Sequence, residues 1–385
     1  MPGKAKGKKK VVSSKKIKSK PKVSSKPLPK PLSGLEFTQN RALSFLELNQ
    51  TKRIAIISDN DPDGMTSAVQ MKKFLDSKKV GNKVFFYDHY SNSLSSPNDI
   101  FAKFSPEKTI FLDLNEGFIS DVLLQIGKFT GPFLVIDHHQ AGVIRNNSYR
   151  CIVIKPASFT DIQPSRYPVS KMVHDLFGGN DWVCEIGVIG DFAFEQWADF
   201  LRKTEKKYNF SYAKFKELDD LVTCITSQYP EKMISLFEFI CSAKNPKDLL
   251  HSEFFAFKKL FDSKLAEQIK KFEESAECFN DVQICFFQGE VRFSSKLSNL
   301  ISIKNPSKVI VIFEQPGELI KCSIRRQDFK VSCNDLAKAA VSGTPLGKGG
   351  GHIPAAGATF PKEYLDEFKK RARLYLLENP PKSTS

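Results

Sequence analysis

The sequence predicts an α/β protein with an N-terminal parallel-sheet domain, a helical connector and a smaller C-terminal α/β domain. Three observations carry this expectation. Short, continuously apolar runs alternate with helical stretches over residues 52–202, the pattern of strands buried on both faces of a parallel sheet. Residues 203–275 keep helical periodicity and contain no convincing strand. From residue 281 strand-like runs return around a glycine-rich segment.

Ahead of these elements lies a stretch of different composition. Twelve of the 58 basic residues and none of the 43 acidic ones stand in residues 1–34, so the formal charge of +15 belongs mainly to this Lys-, Ser- and Pro-rich segment. It offers too little apolar surface to offset its ordering entropy, and a disordered basic tail is expected. Such a tail either holds a polyanion through salt-sensitive phosphate contacts or serves as a solubilising extension. It has neither the Arg-rich amphipathic character of a transit peptide nor the apolar core of a signal peptide. No later run approaches the roughly 18 apolar residues of a membrane span. A soluble, cytoplasmic protein that does not engage a membrane is expected.

The first strand is "RIAIIS", ending in the acidic loop "DNDPDG". "TSAVQMKKFLDS" follows as a helix whose core face includes Val69 and Phe74. "NKVFFYDH", "TIFLDLN" and "PFLVIDHH" are the next strands, and the apolar "EIGVIGDFAF" ends on Asp191. "FKELDDLVTCITSQ", "KMISLFEFICS" and the long segment from Glu253 read as the connector helices. "VQICFFQ", "KVIVIFEQ" and "LIKCSIRR" are strands of the C-terminal part, before a helix at "CNDLAKAAV", the run "GKGGGHIPAAGATF" and a charged closing helix. The eight cysteines are scattered without a C-x-x-C pair, which favours buried reduced thiols over a zinc site.

Ligands of open α/β sheets gather at the carboxyl ends of the strands, and there the sequence places Asp59, Asp61 and Asp63, then Asp113, then Asp137, His138 and His139, and then Asp191. Each alone has an ordinary explanation as a turn or a helix cap. The calcium-loop reading of "DNDPDG" fails because the position needing Glu is Gln70. Six carboxylates converging on one edge must be protonated or neutralised by cations. Oxygen ligands joined by imidazole suit Mn²⁺ or Mg²⁺, and two cations about 3.5–4 Å apart would suit phosphoester hydrolysis.

Five motifs in order resemble those of the DHH phosphoesterase superfamily: "DNDPDG", "FLDLN", "DHH", "GVIGDFA" and, far downstream, "GKGGGHIPAAGA", which resembles the signature of the DHH-associated C-terminal domain. The resemblance runs from about residue 52 to 370. It implies that Asp61, Asp63, Asp113, Asp137, His138 and Asp191 bind two divalent cations, Mn²⁺ in preference or Mg²⁺, with Asp63 or Asp113 bridging. Asp59 takes a first position that is His in many relatives and Asp in the RecJ-like branch, and it joins His139 as a catalytic candidate. His139 would contact the scissile phosphate or assist the leaving group. Gly349, Gly350, Gly351 and His352 would cradle a substrate phosphate with Arg325, or with its neighbour Arg326 if strand alternation turns that one inward. Lys155 departs from the family, standing where many relatives have Asn; His89 and His174 match no motif.

The expected division is a tail over 1–34, a catalytic DHH domain over 35–202, a connector over 203–278, a substrate-binding domain over 279–378 and a short disordered tail over 379–385, with the active-site cleft between the two domains. The function implied is a RecJ-like exonuclease on single-stranded DNA or RNA, with replication or repair proteins as further partners. The alternatives are an oligoribonuclease or nucleotide phosphatase acting on short oligonucleotides, or a replisome scaffold. A scaffold predicts gaps in the ligand set, and no motif Asp is missing.

Overall fold

A computed structural model describes Gly3 and residues 33–88, 93–94, 98–125, 131–139 and 151–381. Almost all of the basic tail, His89 and residues 382–385 lie outside the described residues. Among those described, no helix is long and apolar enough to cross a membrane.

The chain enters through α1 (Gly34–Leu46), whose Ser33 and Glu36 form a capping box. There follow β1 (Arg53–Asp59), α2 (Pro62–Ser77), β2 (Gly81–Asp88), β3 (Ser93–Leu94), α3 (Asn98–Phe104), β4 (Lys108–Leu112), α4 (Glu116–Gln125), β5 (Phe133–Ile136) and β6 (Cys151–Ile154). The helices α5 (Val169–Phe177), α6 (Asp181–Gly190), α7 (Ala198–Tyr208), α8 (Tyr212–Gln228), α9 (Met233–Ser242), α10 (Pro246–Leu250) and α11 (Phe254–Ser275) come next. The last part comprises β7 (Glu277–Phe279), β8 (Ile284–Gln288), α12 (Ser294–Lys304), β9 (Val309–Glu314), β10 (Leu319–Arg325), α13 (Cys333–Val341), β11 (Lys348–Gly351), β12 (Ala355–Pro361) and α14 (Leu365–Glu378).

The first sheet has the order β3-β2-β1-β4-β5-β6. Five strands are parallel and only β3 runs against its neighbour. The order reverses between β1 and β4, so a crevice opens at their carboxyl ends, where such sheets bind ligands. One face packs through Ile54, Ile56, Ile110, Leu112, Leu134 and Ile136 into the larger core; the other packs through Ala55, Ile57, Phe111, Phe133 and Val135. These burials explain why the strands read as unbroken apolar runs. The second sheet, ordered β11-β12-β10-β9-β8-β7, is mixed, with β8 and β9 its parallel pair.

Three elements differ from expectation. Helix α2 is buried on all sides from Pro62 to Met71 because α5, α6 and β1 surround it. Of its polar side chains, Thr66 Oγ1 donates to Pro62 O and Gln70 Nε2 to Ser170 O, while Ser67 Oγ and Gln70 Oε1 are buried without a partner. "EIGVIG" is the end of helix α6 rather than a strand, since a short, fully buried apolar run looks alike in both. Two of the cysteines are paired: antiparallel β7 and β8 set Cys278 directly opposite Cys285, and the two form a disulfide.

The glycine in the middle of α6 has a packing reason. A Cβ on Gly187 would lie 2.3 Å from Ser170 Oγ and 2.5 Å from Thr66 Oγ1, so only glycine lets α6 approach α5 and α2. Gly187→Ala should therefore destabilise the protein by about 1–3 kcal/mol, the usual cost of overpacking. A thermal unfolding curve with an unchanged midpoint would contradict this close approach.

Candidate active site

Each expected aspartate is fixed by its backbone surroundings. Asp59 closes β1, and Asp61 is the N-cap of α2, its Oδ1 accepting from Gly64 N at 2.8 Å. Gly64 is required there, because a Cβ would come within 2.4 Å of the Asp59 carbonyl. Asp63 lies in the first turn of α2 and reaches across to the start of α5. Its Oδ2 accepts from Val169 N at 2.7 Å and its Oδ1 from Ser170 N at 2.9 Å. Because Pro168, the N-cap of α5, makes no side-chain cap, Asp63 fills that role from another helix.

Asp113 and Asp137 are the first residues beyond β4 and β5. Their N–H groups continue the ladder, donating to Ile136 O and Ile154 O at 3.0 and 3.1 Å. Asp113 adopts φ 58°, a left-handed conformation that Asp tolerates better than most side chains. Asp191 arrives from the other side as the C-cap of α6.

His138 is held in one tautomer. Its Nδ1 lies 3.1 Å from the Pro164 carbonyl, which can only accept, so Nδ1 carries the proton and Nε2 presents its lone pair. That Nε2 faces Asp191 Oδ2 at 3.3 Å and Asp113 Oδ1 at 3.5 Å. Both carboxylate oxygens are buried and accept no hydrogen bond. Three electron-pair donors thus converge without a donor hydrogen, an arrangement that suits a cation. Burial, then the charge of His139, lowers the His138 pKa to about 3, which keeps it neutral.

The carboxylates respond as a crowded group. Burial and then the charges of Asp63, Asp61, Asp191 and Asp59 push Asp113 well above the ordinary 3.8. Asp191 is raised by burial and then by Asp63, Asp61, Asp59 and Asp219. Burial takes Asp63 up to about 6 despite its hydrogen bonds. Among the described residues, four overlapping sets have ligand atoms within 4.8 Å of one another: Asp59, Asp61 and Asp113; Asp63, Asp113 and His138; Asp113, Asp137 and His139; and His138, His139 and His352. Asp113 belongs to three of them, and the residues present fit the divalent cations that the fold implies.

Asp137 is different. His139 Nδ1 donates to its Oδ1 at 2.7 Å and Lys155 Nζ to its Oδ2 at 3.0 Å. Burial opposes ionisation, but the bond and charge of His139, followed by Lys155 and His138, bring its pKa down to about 2. The same contact acts on His139: burial is outweighed by Asp137, Asp59 and Asp61, so its pKa is raised.

The second sheet contributes His352. Its ring stacks on His139 at 5.5 Å and 17° and lies 5.7 Å from His138, and its Nδ1 is buried without a partner. Burial, then the charge of His139, lowers its pKa to about 4, with a smaller push from Arg325. Arg325 closes β10 half-buried, its Nε donating to Asn299 Oδ1 at 2.6 Å. Arg326 turns into the protein and forks onto Asp328 at 2.7 and 2.8 Å. Gly349, Gly350 and Gly351 form edge strand β11, with Gly351 N donating to Asn334 Oδ1 at 3.1 Å. A Cβ on Gly349 would meet the Ala337 carbonyl at 2.7 Å, so close packing on α13 is one reason for glycine there.

Lys155 and Asp219 complete the surroundings, and sequence reasoning did not place either in the site. Lys155 stands just after β6, a strand too short to read from the sequence. Asp219, buried on α8 with Oδ1 unpartnered, carries no signal beyond an acid on an apolar helix face. His174 bonds Asp181 at 3.0 Å and lies apart from the cluster in the hydrogen-bond pattern.

Residues 287–378 match the DHHA1 domain model. RecJ from Thermus thermophilus in complex with Mn²⁺ aligns over 91% of this chain and 56% of its own, at a TM-score of 0.64 and 16% identity. The chain has the DHH–DHHA1 fold. Exonuclease RecJ bound to manganese is similar over 91% of this chain and 96% of its own, with a TM-score of 0.59 and 16% identity. The DHH domain of a protein named as a member of a ribosomal-protein family gives 0.65 at 14% identity, over 91% and 92%. The chain therefore spans little more than half of the T. thermophilus RecJ and nearly all of the other two. No curated protein is similar to it by sequence.

The raised carboxylates define a stability test. Asp113 has a folded-state pKa above its unfolded value, so ionising it costs stability as pH rises above 3.8, until the folded group itself ionises. In chelator-treated protein at pH 7–8, Asp113→Asn should raise the unfolding midpoint. Mn²⁺ should stabilise the wild type, and Asp113→Asn should largely remove that stabilisation. A lower midpoint in chelator, or undiminished stabilisation by Mn²⁺, would contradict the assignment.

Proposed function

We propose that this DHH–DHHA1 chain is a metal-dependent phosphodiesterase that degrades single-stranded nucleic acid as an exonuclease. The observation that carries the reading is the convergence of His138 Nε2 with the unbonded oxygens of Asp113 and Asp191, beside a second-sheet imidazole stacked on His139. The RecJ structures, one named as an exonuclease and both containing manganese, support the same choice.

Asp61, Asp63, Asp113, Asp137, His138 and Asp191 would hold two cations, Mn²⁺ or Mg²⁺, with Asp113 the favoured bridge because it belongs to three of the four ligand sets. Bound cations supply neutralising charge, polarisation of the phosphate and activation of a water. Asp137 and Lys155 play a supporting part. The Asp137 carboxylate keeps the proton on His139 Nδ1, while Lys155 compensates its second oxygen. That leaves His139 Nε2 for the phosphate or its leaving oxygen, with Asp59 completing the catalytic pair. His352, Arg325 and the backbone of Gly349, Gly350 and Gly351 would receive a neighbouring phosphate. We assign 35–202 to catalysis, 203–278 to the connector and 279–378 to substrate binding, with residues 1–34 tethering long strands electrostatically.

End-labelled single strands of graded length, incubated with Mn²⁺, test the proposal. The wild type should shorten strands well beyond five nucleotides, and Asp137→Ala should reduce the rate at least 100-fold, within the range of about 10²–10⁴ for a positioned acid or base. Removing residues 1–34 should flatten the salt dependence of long-strand binding. Cleavage confined to two- to five-mers would favour the oligoribonuclease reading, and no cleavage at any length the scaffold. Full activity in Asp137→Ala would remove that residue from the mechanism.

A further inference from the structure

Three exposed apolar side chains follow closely on site residues: Phe192 after Asp191, Ile353 after His352, and Phe329 four positions beyond Arg325. Phe329 sits in a closely hydrogen-bonded loop. It is 47% exposed and adopts φ 58°, an unfavourable conformation for a bulky side chain. The loop that imposes it is tied down throughout. The fork from buried Arg326 holds Asp328, and Asp328 Oδ1 also accepts from Lys330 N at 3.0 Å. The N–H groups of Gln327 and Asp328 both donate to Pro306 O, while Gln327 Nε2 donates to Ser302 Oγ at 2.9 Å.

The same loop is fastened to the segment carrying His352. Arg326 N donates to Pro354 O at 2.9 Å and Cys333 N to Ile353 O at 2.8 Å. From the first-sheet side, the Arg166 guanidinium lies 5.7 Å from the Phe329 ring centroid. Arg166 belongs to the short turn Pro164–Arg166, whose first carbonyl fixes His138. Its own carbonyl accepts from Trp197 Nε1 at 2.8 Å and its Nη1 pairs with Glu195 at 3.3 Å. A tied-down loop and an anchored turn thus hold a half-exposed aromatic ring under the Arg166 guanidinium, the loop fastened to the His352 segment and the turn to His138.

We propose that Phe329 and Arg166 form a nucleobase-stacking subsite for the nucleotide whose phosphate lies at His139 and His352. An aromatic face beside a guanidinium is the surface on which bases of any sequence stack, whereas an inorganic polyphosphate gains nothing from it. The subsite rests on the phosphodiesterase reading above and narrows it to substrates bearing bases. It also gives Arg326 a role apart from phosphate binding, as the residue that shapes the Phe329 loop.

The test is equilibrium binding by the full Mn²⁺-loaded chain of a cleavage-resistant phosphorothioate hexamer, compared with the same strand made abasic at its terminal nucleotides. The wild type should bind the intact strand more tightly by roughly five- to 150-fold, the value of one stacked base. Phe329→Ala should bring that ratio close to one, and Phe329→Trp should preserve it. A ratio near one in the wild type overturns the subsite alone. Equal weakening of both strands by Phe329→Ala makes the residue a contact between the two sheets' surroundings and also overturns it. Binding of neither strand by the wild type overturns the nucleic-acid reading, and the subsite with it.

Discussion

Carboxylates gathered within a few ångströms of one another repel, and removal from water strengthens the repulsion. This chain gathers several of them at the switch point of its parallel sheet and keeps them there through backbone contacts. Asp113 and Asp137 are held by ladder hydrogen bonds to the neighbouring strands. Asp61 caps its own helix and Asp63 the start of another. Gly64 lets α2 begin hard against Asp59, and Gly187 lets α6 approach closely enough to deliver Asp191. The folded scaffold therefore bears the electrostatic cost in advance, and a bound divalent cation would relieve it.

The two imidazoles of "DHH" divide along the same line. The Pro164 carbonyl fixes His138 as a neutral lone-pair donor facing Asp113 and Asp191. The Asp137 carboxylate fixes His139 with its proton on Nδ1 and raises its pKa. Second-sheet His352 stacks on that ring, so the proposed phosphate pocket needs both halves of the chain. The Lys155 ammonium donates to the second oxygen of Asp137 and adds a positive charge at this edge of the site.

Much of this was legible in the sequence. β1, β4 and β5 are buried on both faces, which made them continuous apolar runs ending on Asp59, Asp113 and Asp137. Helix α6 was not legible, because it is short and buried from Trp182 to Ile189, and periodicity cannot separate such a helix from a strand. Nor was β11: glycine disfavours strands, and its presence there depends on the approach of α13. The disulfide depends on the register of β7 and β8, and the choice of Arg325 over Arg326 on the Asp328 fork. Neither is encoded by spacing alone. The stacking of His139 on His352 is a tertiary contact between distant segments, which no local pattern reports.

The central claim is that the strand-end carboxylates are arranged to share closely spaced cations around Asp113. Electron paramagnetic resonance during titration of the full chain with Mn²⁺ addresses it directly. Two bound Mn²⁺ per chain with an exchange-coupled spectrum are expected, as for cations about 3.5–4 Å apart, and Asp113→Asn should abolish the coupling. A single uncoupled Mn²⁺ at saturation, or coupling that survives Asp113→Asn, would contradict the account.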